Sequence, residues 1–438
     1  MKRILKFLIV CSVFTGCSTE YVVKPPEVVN KYDATKPQAL TGFTPSNGGY
    51  LDNFVLFGNF GPDKTKMQVF FSNREAKIIS SDGVSILAIV PKLEDGQHVV
   101  RVLVDGVELT CADMFGYTQV ARITTEAGVH SGSNDFIDGT ISQARFGRPI
   151  GIAVIADDNL LVVETHDQRI ALVSFTGNQV TRLYNGMHFT KPAVNKARDE
   201  AYVIRLLPNT GSVFKMRRVN NWILENVRGN TAELAAGEQW ACALDDSEKY
   251  LYVRNHASGF YRICLEEFDE NGVPKVETLL TGNEMPIITG GTMNSLVWCP
   301  KAKCFYNSMW AACQIWKIWE ENGVWKCEEY AGSVGGDADG QRLTEARFRN
   351  PHGMCVDGDG NLYVADANNH KIKRIDYLTG MVTTAAGSVR SDRTNWIEVD
   401  GPPLEATFDV PHCLAMDSEG NIWIANGEGR TIRKLSIE

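Results

Sequence analysis

Short runs of alternating apolar and polar residues fill the chain from about residue 39 to its last residue. Runs such as MQVFF, VVRVLV, LLVVE and LYVAD are separated by turns rich in Gly, Asn and Asp. A period of two predicts half-buried β-strands, and a short apolar run between turn residues predicts a strand buried on both faces. The pattern therefore predicts an all-β protein.

The second part of the chain repeats one sequence unit. Three segments superimpose almost without gaps: IGIAVIADDNLLVVETHDQRIALV, HGMCVDGDGNLYVADANNHKIKRI and HCLAMDSEGNIWIANGEGRTIRKL. Each reads as strand, Asp/Gly turn, strand, polar turn and strand, and three degenerate units keep the same rhythm. Repeated units of this length each form one supersecondary element and stack on their neighbours, so this part of the chain is predicted to hold six such elements.

This unit resembles the NHL repeat, whose family forms β-propellers. The last unit ends at Glu438 with three strands, one fewer than a complete blade. The segment VARITTE, residues 120–126, precedes the first Ala-Gly as KCEEY and MVTTA precede the later ones. We therefore predict a six-bladed NHL-type β-propeller over residues 119–438, closed by an N-terminal outer strand that leaves no large open sheet edge.

Residues 38–118 form a separate group of short alternating strands with Gly, Asn and Asp turns, which is typical of a small β-sandwich. The stretches FTP at 43–45, LFGNF at 56–60, VP at 90–91 and GQHVVRV at 96–102 resemble the IPT/TIG immunoglobulin-like domain. The resemblance implies that an immunoglobulin-like β-sandwich precedes the propeller.

The N-terminus reads as a secretory signal. Lys2 and Arg3 precede an apolar run over residues 4–14 that is too short to span a bilayer. The ending Phe-Thr-Gly-Cys resembles the lipobox of bacterial lipoproteins. This implies a signal peptide at 1–16, acylation of Cys17, and a Pro-containing tether at 17–37. An ordinary cleaved signal with a chance cysteine is the alternative.

Charge and cysteine usage narrow the function classes. The net charge of −9 argues against nucleic-acid binding, which needs a basic face to neutralise phosphates. No Cys-x-x-Cys pair occurs among the 11 cysteines, so a zinc site of that type is unsupported. Cys299 and Cys304 flank a short turn, and they either bridge a hairpin or remain buried free thiols.

Aligning the six units predicts a ring of residues at one mouth of the propeller channel, where the inner strands begin. The ring holds one residue of each unit: Ile150, Thr190, Trp240, Asn294, His352 and His412. Neutral imidazoles can bind a metal or a sugar hydroxyl, and an indole face can stack on a pyranose ring. We therefore predict a ligand-binding mouth at Trp240, Asn294, His352 and His412. A mouth that holds only polar side chains and water is the alternative.

Other polar positions are interpreted as structural. The pairs Asp138-Gly139, Asp339-Gly340 and Asp400-Gly401 recur once per unit, which indicates turn chemistry. Six residues after the second strands are expected to be solvated turn residues at the opposite face: His166, Asn255, His256, Asn368, Glu428 and Arg430. The Trp-rich fourth unit, with Trp310, Trp316, Trp319 and Trp325, is expected to serve core packing, and a carbohydrate platform is the alternative.

The order of lipobox, IPT/TIG domain and NHL propeller resembles surface lipoproteins of Gram-negative bacteria that accompany glycan-uptake systems. The resemblance implies a lipid-anchored envelope protein, in the outer membrane and surface-exposed, that binds a polysaccharide or an envelope protein partner. No catalytic residue, cofactor or nucleic-acid partner is expected. Two alternatives stay open. One is a metal-dependent hydrolase or lyase with a divalent metal at His352 and His412, and the other is a scaffold that uses the rims of the propeller.

Overall fold

The computed structural model describes residues 32–437 except 51, 131–134, 166, 206–211, 229–238, 256–258, 283, 286–293 and 389–397. The backbone of Trp240 and Asn294 is described, but their side chains are not. The chain divides into two compact units, the first ending at Gln119 and the second beginning at Val120. Within the described ranges, no helix has the length and apolar character that crossing a membrane requires.

The first unit consists of eight strands and one 3₁₀ turn. The strands are β1 (Ala39–Thr44), β2 (Asn47–Gly48), β3 (Asn53–Asn59), β4 (Met67–Phe71), β5 (Arg74–Ser81), β6 (Ser85–Ile89), β7 (Gly96–Val104) and β8 (Val107–Tyr117), and the 3₁₀ turn is Lys64–Lys66. They form a single hydrogen-bonded order, β1-β3-β6-β5-β4-β7-β8-β2, around an apolar core that includes Phe54, Phe71 and Phe115.

The two separate sheets of the expected immunoglobulin-like sandwich are not confirmed in this unit. Strand β5 joins what would be the two sheets, because its first half pairs with β4, where Val69 faces Ala76. Its second half pairs with β6, where Lys77 faces Ile89. A register shift after Ile78 lets one strand serve both neighbours. The unit is therefore one eight-stranded sheet.

The second unit is a propeller of six blades. Its strands are β9 (Ala121–Ala127), β10 (Gly151–Val154), β11 (Leu160–Glu164), β12 (Arg169–Ser174), β13 (Gln179–Asn185), β14 (Ala193–Val194), β15 (Glu200–Ile204), β16 (Val213–Arg217), β17 (Glu225–Arg228), β18 (Gln239–Leu244), β19 (Tyr250–Asn255), β20 (Gly259–Phe268), β21 (Pro274–Thr281), β22 (Asn294–Cys299), β23 (Cys304–Met309), β24 (Gln314–Glu321), β25 (Val324–Gly332), β26 (Gly340–Gln341), β27 (Pro351–Val356), β28 (Leu362–Asp366), β29 (Lys371–Ile375), β30 (Met381–Ala386), β31 (Pro411–Met416), β32 (Ile422–Asn426) and β33 (Thr431–Ile437). Short 3₁₀ turns lie at Ala156–Asp158, Arg218–Asn220 and Ala367–Asn369.

The strands follow the predicted blade order. Blades one to four are β10–β13, β14–β17, β18–β21 and β22–β25, each antiparallel from the inner strand outwards. Blade five is β27–β30, with the short β26 added outside β30. Blade six is β31-β32-β33-β9, so a strand from the start of the unit completes it. Ile123 faces Leu435 in this pairing, and the predicted closure of the ring is confirmed.

The hydrophobic core of the propeller lies between neighbouring blades. Six apolar clusters each join two adjacent blades, and the cluster between blades six and one contains Trp423 from β32 and Val162 from β11. The inner strands bury both faces, as in β10, β27 and β31, and they therefore read as near-continuous apolar runs. Trp319 and Trp325 pack against two of these clusters, which confirms core packing for those two tryptophans.

The repeated Asp-Gly pairs hold the loop before the inner strand against the fourth strand of the same blade, as blades five and six show. Asp339 accepts a hydrogen bond from the Thr384 N–H on β30 at 2.8 Å, and Asp400 accepts one from the Thr125 N–H on β9 at 2.9 Å. Gly401 has φ +138°, a conformation that glycine adopts without steric cost. These pairs therefore have the structural role that their repetition indicates.

Cys299 and Cys304 lie directly opposite each other on β22 and β23. Both are buried free thiols, as are most of the described cysteines, so the hairpin is not bridged in this structure.

Candidate functional site

The turn that follows each second strand lies at the same end of the channel as the start of the inner strand. Pro351, which begins β27, pairs with Asp366 at the end of β28, and Pro411 pairs with Asn426 in the same way. The expectation that these turns lie at the opposite face is wrong, because the second strand of an antiparallel pair returns the chain to where the first began.

Asn255 at the end of β19 is also fully buried rather than solvated. Asn368 is exposed as expected, Glu428 and Arg430 are half-buried, and His166 and His256 lie outside the described residues.

His352 and His412 occupy the second positions of two neighbouring inner strands, β27 and β31. Their Nδ1 atoms are 3.3 Å apart, and their rings are nearly perpendicular, at 89° with 5.4 Å between centroids. Only 5% of His352 and 3% of His412 is exposed. For the two Nδ1 atoms to share a hydrogen bond, one imidazole must carry the proton there and the other must accept it. The two histidines therefore form a buried, coupled pair.

Trp310 completes this group from a different blade. It lies in the turn between β23 and β24, and its indole is parallel to His412, at 7° with 5.7 Å between centroids. The same indole meets His352 edge-on, at 88° and 5.7 Å. Trp310 is half-buried, whereas both histidines are buried. We call Trp310, His352 and His412 the mouth cluster, in which the indole is the most exposed member.

Two glycines allow the mouth cluster to pack this closely. A Cβ added at Gly427 would lie 2.1 Å from His412 Cδ2, and one added at Gly353 would lie 2.4 Å from the Cα of Cys413. Neither distance is compatible with non-bonded atoms, so any other residue at these positions would displace its neighbour. The imidazole of His412 is thus in direct contact with the backbone at Gly427.

A small cavity lies beside His352 in the channel. Its lining combines ring positions with residues that the ring did not include: Ile150, Thr165, Thr190, Lys191, Ser295, His352, Gly353 and Cys413. Its volume of ≈ 10 Å³ leaves room for about one water-sized group. Lys191 Nζ donates to the carbonyl oxygens of Met354 at 3.0 Å and Leu414 at 2.8 Å, and so bridges the inner strands of blades five and six.

A polar side chain at the end of the second strand anchors the loop before the inner strand in three blades. Glu164 accepts from the Gly147 N–H at 2.6 Å, and Asp366 accepts from the Arg349 N–H at 2.6 Å. Asn426 accepts from the Asp409 N–H at 2.9 Å in blade six.

Burial raises the pKa of both anchoring carboxyl groups, Glu164 and Asp366, to about 7. The opposite charges of Arg169 and Lys373 oppose this effect without cancelling it. Because an amide fills the same role in blade six, these groups are understood as structural anchors of the loops.

The structure brings part of the predicted ring together. Ile150, Thr190 and His352 line one cavity, and His412 contacts His352. Trp240 is the second residue of β18 and Asn294 is the first residue of β22, but their side chains lie outside the described part, as does all of Cys17. Ligand binding by Trp240, Asn294, His352 and His412 stays a prediction.

The described residues contain no group of three or more His, Cys, Asp or Glu side chains that could hold a metal ion. His352 and His412 therefore supply two ligands at most, whereas a catalytic zinc site usually takes three from the protein.

The sequence did not place Trp310, Lys191 or Ser295 at the site, and it assigned Trp310 to core packing with a carbohydrate platform as the alternative. Trp310 could have been found from its position in the turn after a second strand, because that turn lies at the end of the channel where the inner strands begin. Lys191 directly follows the ring position Thr190, and Ser295 directly follows Asn294. Alignment of single positions overlooks such neighbours, although both residues line the cavity.

Comparisons with known proteins agree with the fold. The NHL repeat family matches residues 348–375. The chain is 22% identical over 337 residues to the Arabidopsis thaliana protein SUPPRESSOR OF QUENCHING 1, chloroplastic, a match that covers 70% of this chain and 26% of that protein. The matched region thus spans about a quarter of the plant protein.

Two solved Bacteroides structures cover most of the chain. A structural genomics protein of unknown function from Bacteroides thetaiotaomicron has 29% identity and a TM-score of 0.70, with 93% of this chain and 100% of that chain covered. An auxiliary nutrient binding protein from Bacteroides ovatus has 21% identity and a TM-score of 0.66, with the same coverage. The chain therefore carries an NHL repeat within a six-bladed β-propeller, a fold that it shares with propeller proteins of Bacteroides.

Proposed function

We propose that this chain is a non-enzymatic lipoprotein of the cell envelope whose propeller binds an extracellular ligand at the mouth cluster. A polysaccharide is the leading ligand, and an envelope protein partner is the alternative. The observation that carries the proposal is the arrangement of Trp310, a half-buried indole that two buried imidazoles hold in place at the channel mouth. A half-buried aromatic ring that its neighbours hold in place suits the apolar face of a pyranose.

The fold likeness to the Bacteroides ovatus auxiliary nutrient binding protein supports a binding role, although at 21% identity the likeness concerns the fold alone. The mouth cluster contains an indole and two imidazoles and no carboxylate, hydroxyl or thiol side chain. Because the two histidines are almost fully buried, we assign the contact with the ligand to Trp310 and the positioning of the indole to His352 and His412.

Binding to a panel of neutral and acidic soluble polysaccharides, by affinity electrophoresis followed by calorimetric titration, tests this proposal. Trp310→Ala is expected to weaken the affinity at least about tenfold, which corresponds to about 1.4 kcal/mol. Trp316→Ala is the matched control, because Trp316 is a half-buried tryptophan of the same blade that lies on β24. Equal affinities of both variants and the wild type would remove the mouth cluster from the binding site.

Trp240→Ala is a second variant for the same experiment, because Trp240 lies at the start of the inner strand of blade three. A loss of affinity in Trp240→Ala but not in Trp310→Ala would move the ligand to the opposite side of the mouth. No binding of any polysaccharide by the wild type, together with recovery of one stoichiometric protein from envelope extracts, would favour the partner protein.

The anchor and the spacer belong to the same proposal. The ending Phe-Thr-Gly-Cys at 14–17 supports acylation of Cys17 and a place in the outer membrane at the cell surface. The sequence landmarks of residues 38–118 support an IPT/TIG-like unit that separates the propeller from the membrane. Metabolic labelling with an alkyne fatty acid is expected to mark the wild type and Cys11→Ala but not Cys17→Ala. Label that persists in Cys17→Ala would exclude this lipid anchor.

One distance supports the alternative of a metal-dependent hydrolase or lyase. The 3.3 Å between the two Nδ1 atoms is close to the separation of about 3.3 Å that two nitrogen ligands have on a tetrahedral zinc ion. The set is incomplete, because the described residues supply only these two ligands. Elemental analysis of the full chain distinguishes the binding protein from the metal-dependent enzyme. A stoichiometric metal that is present in the wild type and absent from His352→Ala would favour the enzyme.

A further inference from the structure

The ammonium group of Lys191 lies in the channel without a carboxylate partner among the described residues. Its two hydrogen bonds go to the carbonyl oxygens of Met354 and Leu414, which are neutral. An ammonium group has three N–H donors, so one donor remains for another acceptor. Lys191 is the one lysine or arginine among the residues that line the cavity, and none of those lining residues is acidic.

Ser295 lines the same cavity and carries a hydroxyl group that the fold does not use. Its side-chain oxygen is buried and has no hydrogen-bond partner among the described residues, and the residue is 4% exposed. Its backbone is fully engaged, because the Ser295 N–H donates to Ser308 Oγ at 3.0 Å and the Ser295 carbonyl accepts from Asn307 Nδ2 at 3.0 Å. The chain thus holds Ser295 firmly and leaves its hydroxyl free.

The other hydroxyl groups of the cavity behave differently. Thr165 Oγ1 donates to the Phe189 carbonyl at 2.8 Å, and Thr190 Oγ1 accepts from the Ile204 N–H at 3.1 Å. Buried polar groups in proteins are nearly always hydrogen-bonded, and buried charges are nearly always paired. A free hydroxyl and an ammonium group with a spare donor, in one cavity, therefore point to an acceptor that carries negative charge.

We propose that this cavity binds a small anion, either a halide ion or one oxygen of a carboxylate, with Lys191 supplying the charge and Ser295 a hydrogen bond. The volume of ≈ 10 Å³ admits about one water-sized group, so a carboxylate would enter through one oxygen only, and a whole phosphate or sulfate ion is too large. The inference goes beyond the proposed function, because it concerns the channel below the mouth cluster and does not depend on polysaccharide binding.

Bromide tests the site directly in the full chain. Protein exchanged into sodium sulfate is titrated with sodium bromide at constant ionic strength while the melting temperature is measured. A ligand that binds only the folded state raises the melting temperature, so a saturable increase is expected for the wild type. Ser295→Ala is expected to weaken the apparent bromide affinity about tenfold, the loss of one charge-assisted hydrogen bond. Lys191→Met is expected to abolish the increase, and Lys275→Met, at an exposed lysine of β21, is expected to retain it.

Crystals of the wild type grown in sodium bromide keep the proposal testable if Lys191→Met does not fold. An anomalous bromine peak beside Lys191 Nζ and Ser295 Oγ is expected.

A second titration, with sodium formate, distinguishes a halide site from a carboxylate site. Stabilisation by both ions assigns the site to carboxylate oxygens as well, and stabilisation by bromide alone assigns it to a free halide. No bromine peak in the cavity and no stabilisation of the wild type by either ion would overturn the proposal. Because no polysaccharide is present, neither result depends on the outcome of the polysaccharide assay.

Discussion

The imidazole of His412 lies parallel to the indole of Trp310, although Trp310 belongs to the fourth blade and His412 to the sixth. The turn after β23 therefore reaches past the inner strand of blade five. The carbonyl of Trp310 accepts a hydrogen bond from Asn350 Nδ2 at 3.1 Å, which ties this turn to the residue before β27. The mouth of the channel is thus a composite of three blades, and its geometry depends on the closed ring.

Substitution of Gly427 tests whether this packing is tight. An added Cβ would lie 2.1 Å from His412 Cδ2, so Gly427→Ala must displace the imidazole from Trp310. We expect the free energy of unfolding to fall by about 1–3 kcal/mol, as overpacking of a filled site does. We also expect the near-ultraviolet circular dichroism of the tryptophans to change.

Gly358→Ala is the control for this change, because a Cβ at Gly358 meets no atom within 4 Å. Urea denaturation of both variants measures the difference. If Gly427→Ala unfolds at the same urea concentration as Gly358→Ala, the close contact at His412 does not exist.

Lys373 is expected to be the more costly of two neighbouring lysines to replace. Its side chain is fully buried and makes ion pairs with Asp337 and Asp339, both at 3.1 Å. Lys371 is partly exposed, and among the described residues it pairs with Asp337 alone, at 2.6 Å. Lys373→Met removes the hydrogen bonds of the ammonium group to Asp339 and to the carbonyl oxygens of Ala338 and Arg347. Because the carboxylates themselves are partly exposed, the change should cost about 2 kcal/mol. Lys371→Met should cost less than about 1 kcal/mol. Chemical denaturation compares the two variants. Equal losses of unfolding free energy would show that the burial of Lys373 does not add to the stability of the fold.

Asp366 is expected to make the stability of the propeller depend on pH. Burial raises the pKa of its carboxyl from 3.8 to about 7. In the folded state the group holds its proton up to about pH 7, whereas in the unfolded chain it releases the proton near pH 4. The free energy of unfolding therefore falls as pH rises through this window, by about 2 kcal/mol between pH 5 and pH 8.

Asp366→Asn is expected to remove this part of the pH dependence and to keep the loop anchor, since Asn426 fills the same position in blade six. Denaturation at pH 5 and pH 8 provides the measurement. The pKa of the Glu164 carboxyl is also raised to about 7. This group accounts for the pH dependence of the unfolding free energy that remains in Asp366→Asn, and Glu164→Gln should reduce it. Identical pH profiles for the wild type and Asp366→Asn would contradict the assignment.

Ile123 is expected to carry much of the energy of ring closure. It is fully buried on β9, and its N–H and carbonyl both pair with Gly401, at 2.8 and 3.0 Å. Ile123→Ala should cost about 2–5 kcal/mol, because it opens a cavity where the first strand of the propeller meets the last blade. Arg122→Ala, at an exposed position of the same strand, should change the stability by less than about 0.5 kcal/mol. Thermal unfolding compares the two variants, and a loss at Ile123 no larger than that at Arg122 would mean that closure rests on other contacts.

The blades could be predicted from the sequence because their information is local. Each hairpin of a blade joins strands that are adjacent in the chain, and its Asp/Gly turn and apolar runs repeat from unit to unit. The closing strand was also predictable, since the last unit visibly lacked one strand. The first unit was harder, because strand β5 pairs with two neighbours and merges the expected sheets into one. Nothing in the alternation of β5 distinguishes one partner from two.

By itself, the sequence determined the six repeated units, their order and the two histidines at equivalent positions of blades five and six. Only the tertiary structure decided which side chains meet at the channel. Trp310 reaches His412 across a blade, Lys191 extends to the carbonyl oxygens of Met354 and Leu414, and Ser295 keeps a free hydroxyl beside them. The physical reason is that pairing within a blade depends on neighbours in the chain. Contacts at the mouth depend instead on closing the ring, which brings together residues of distant blades.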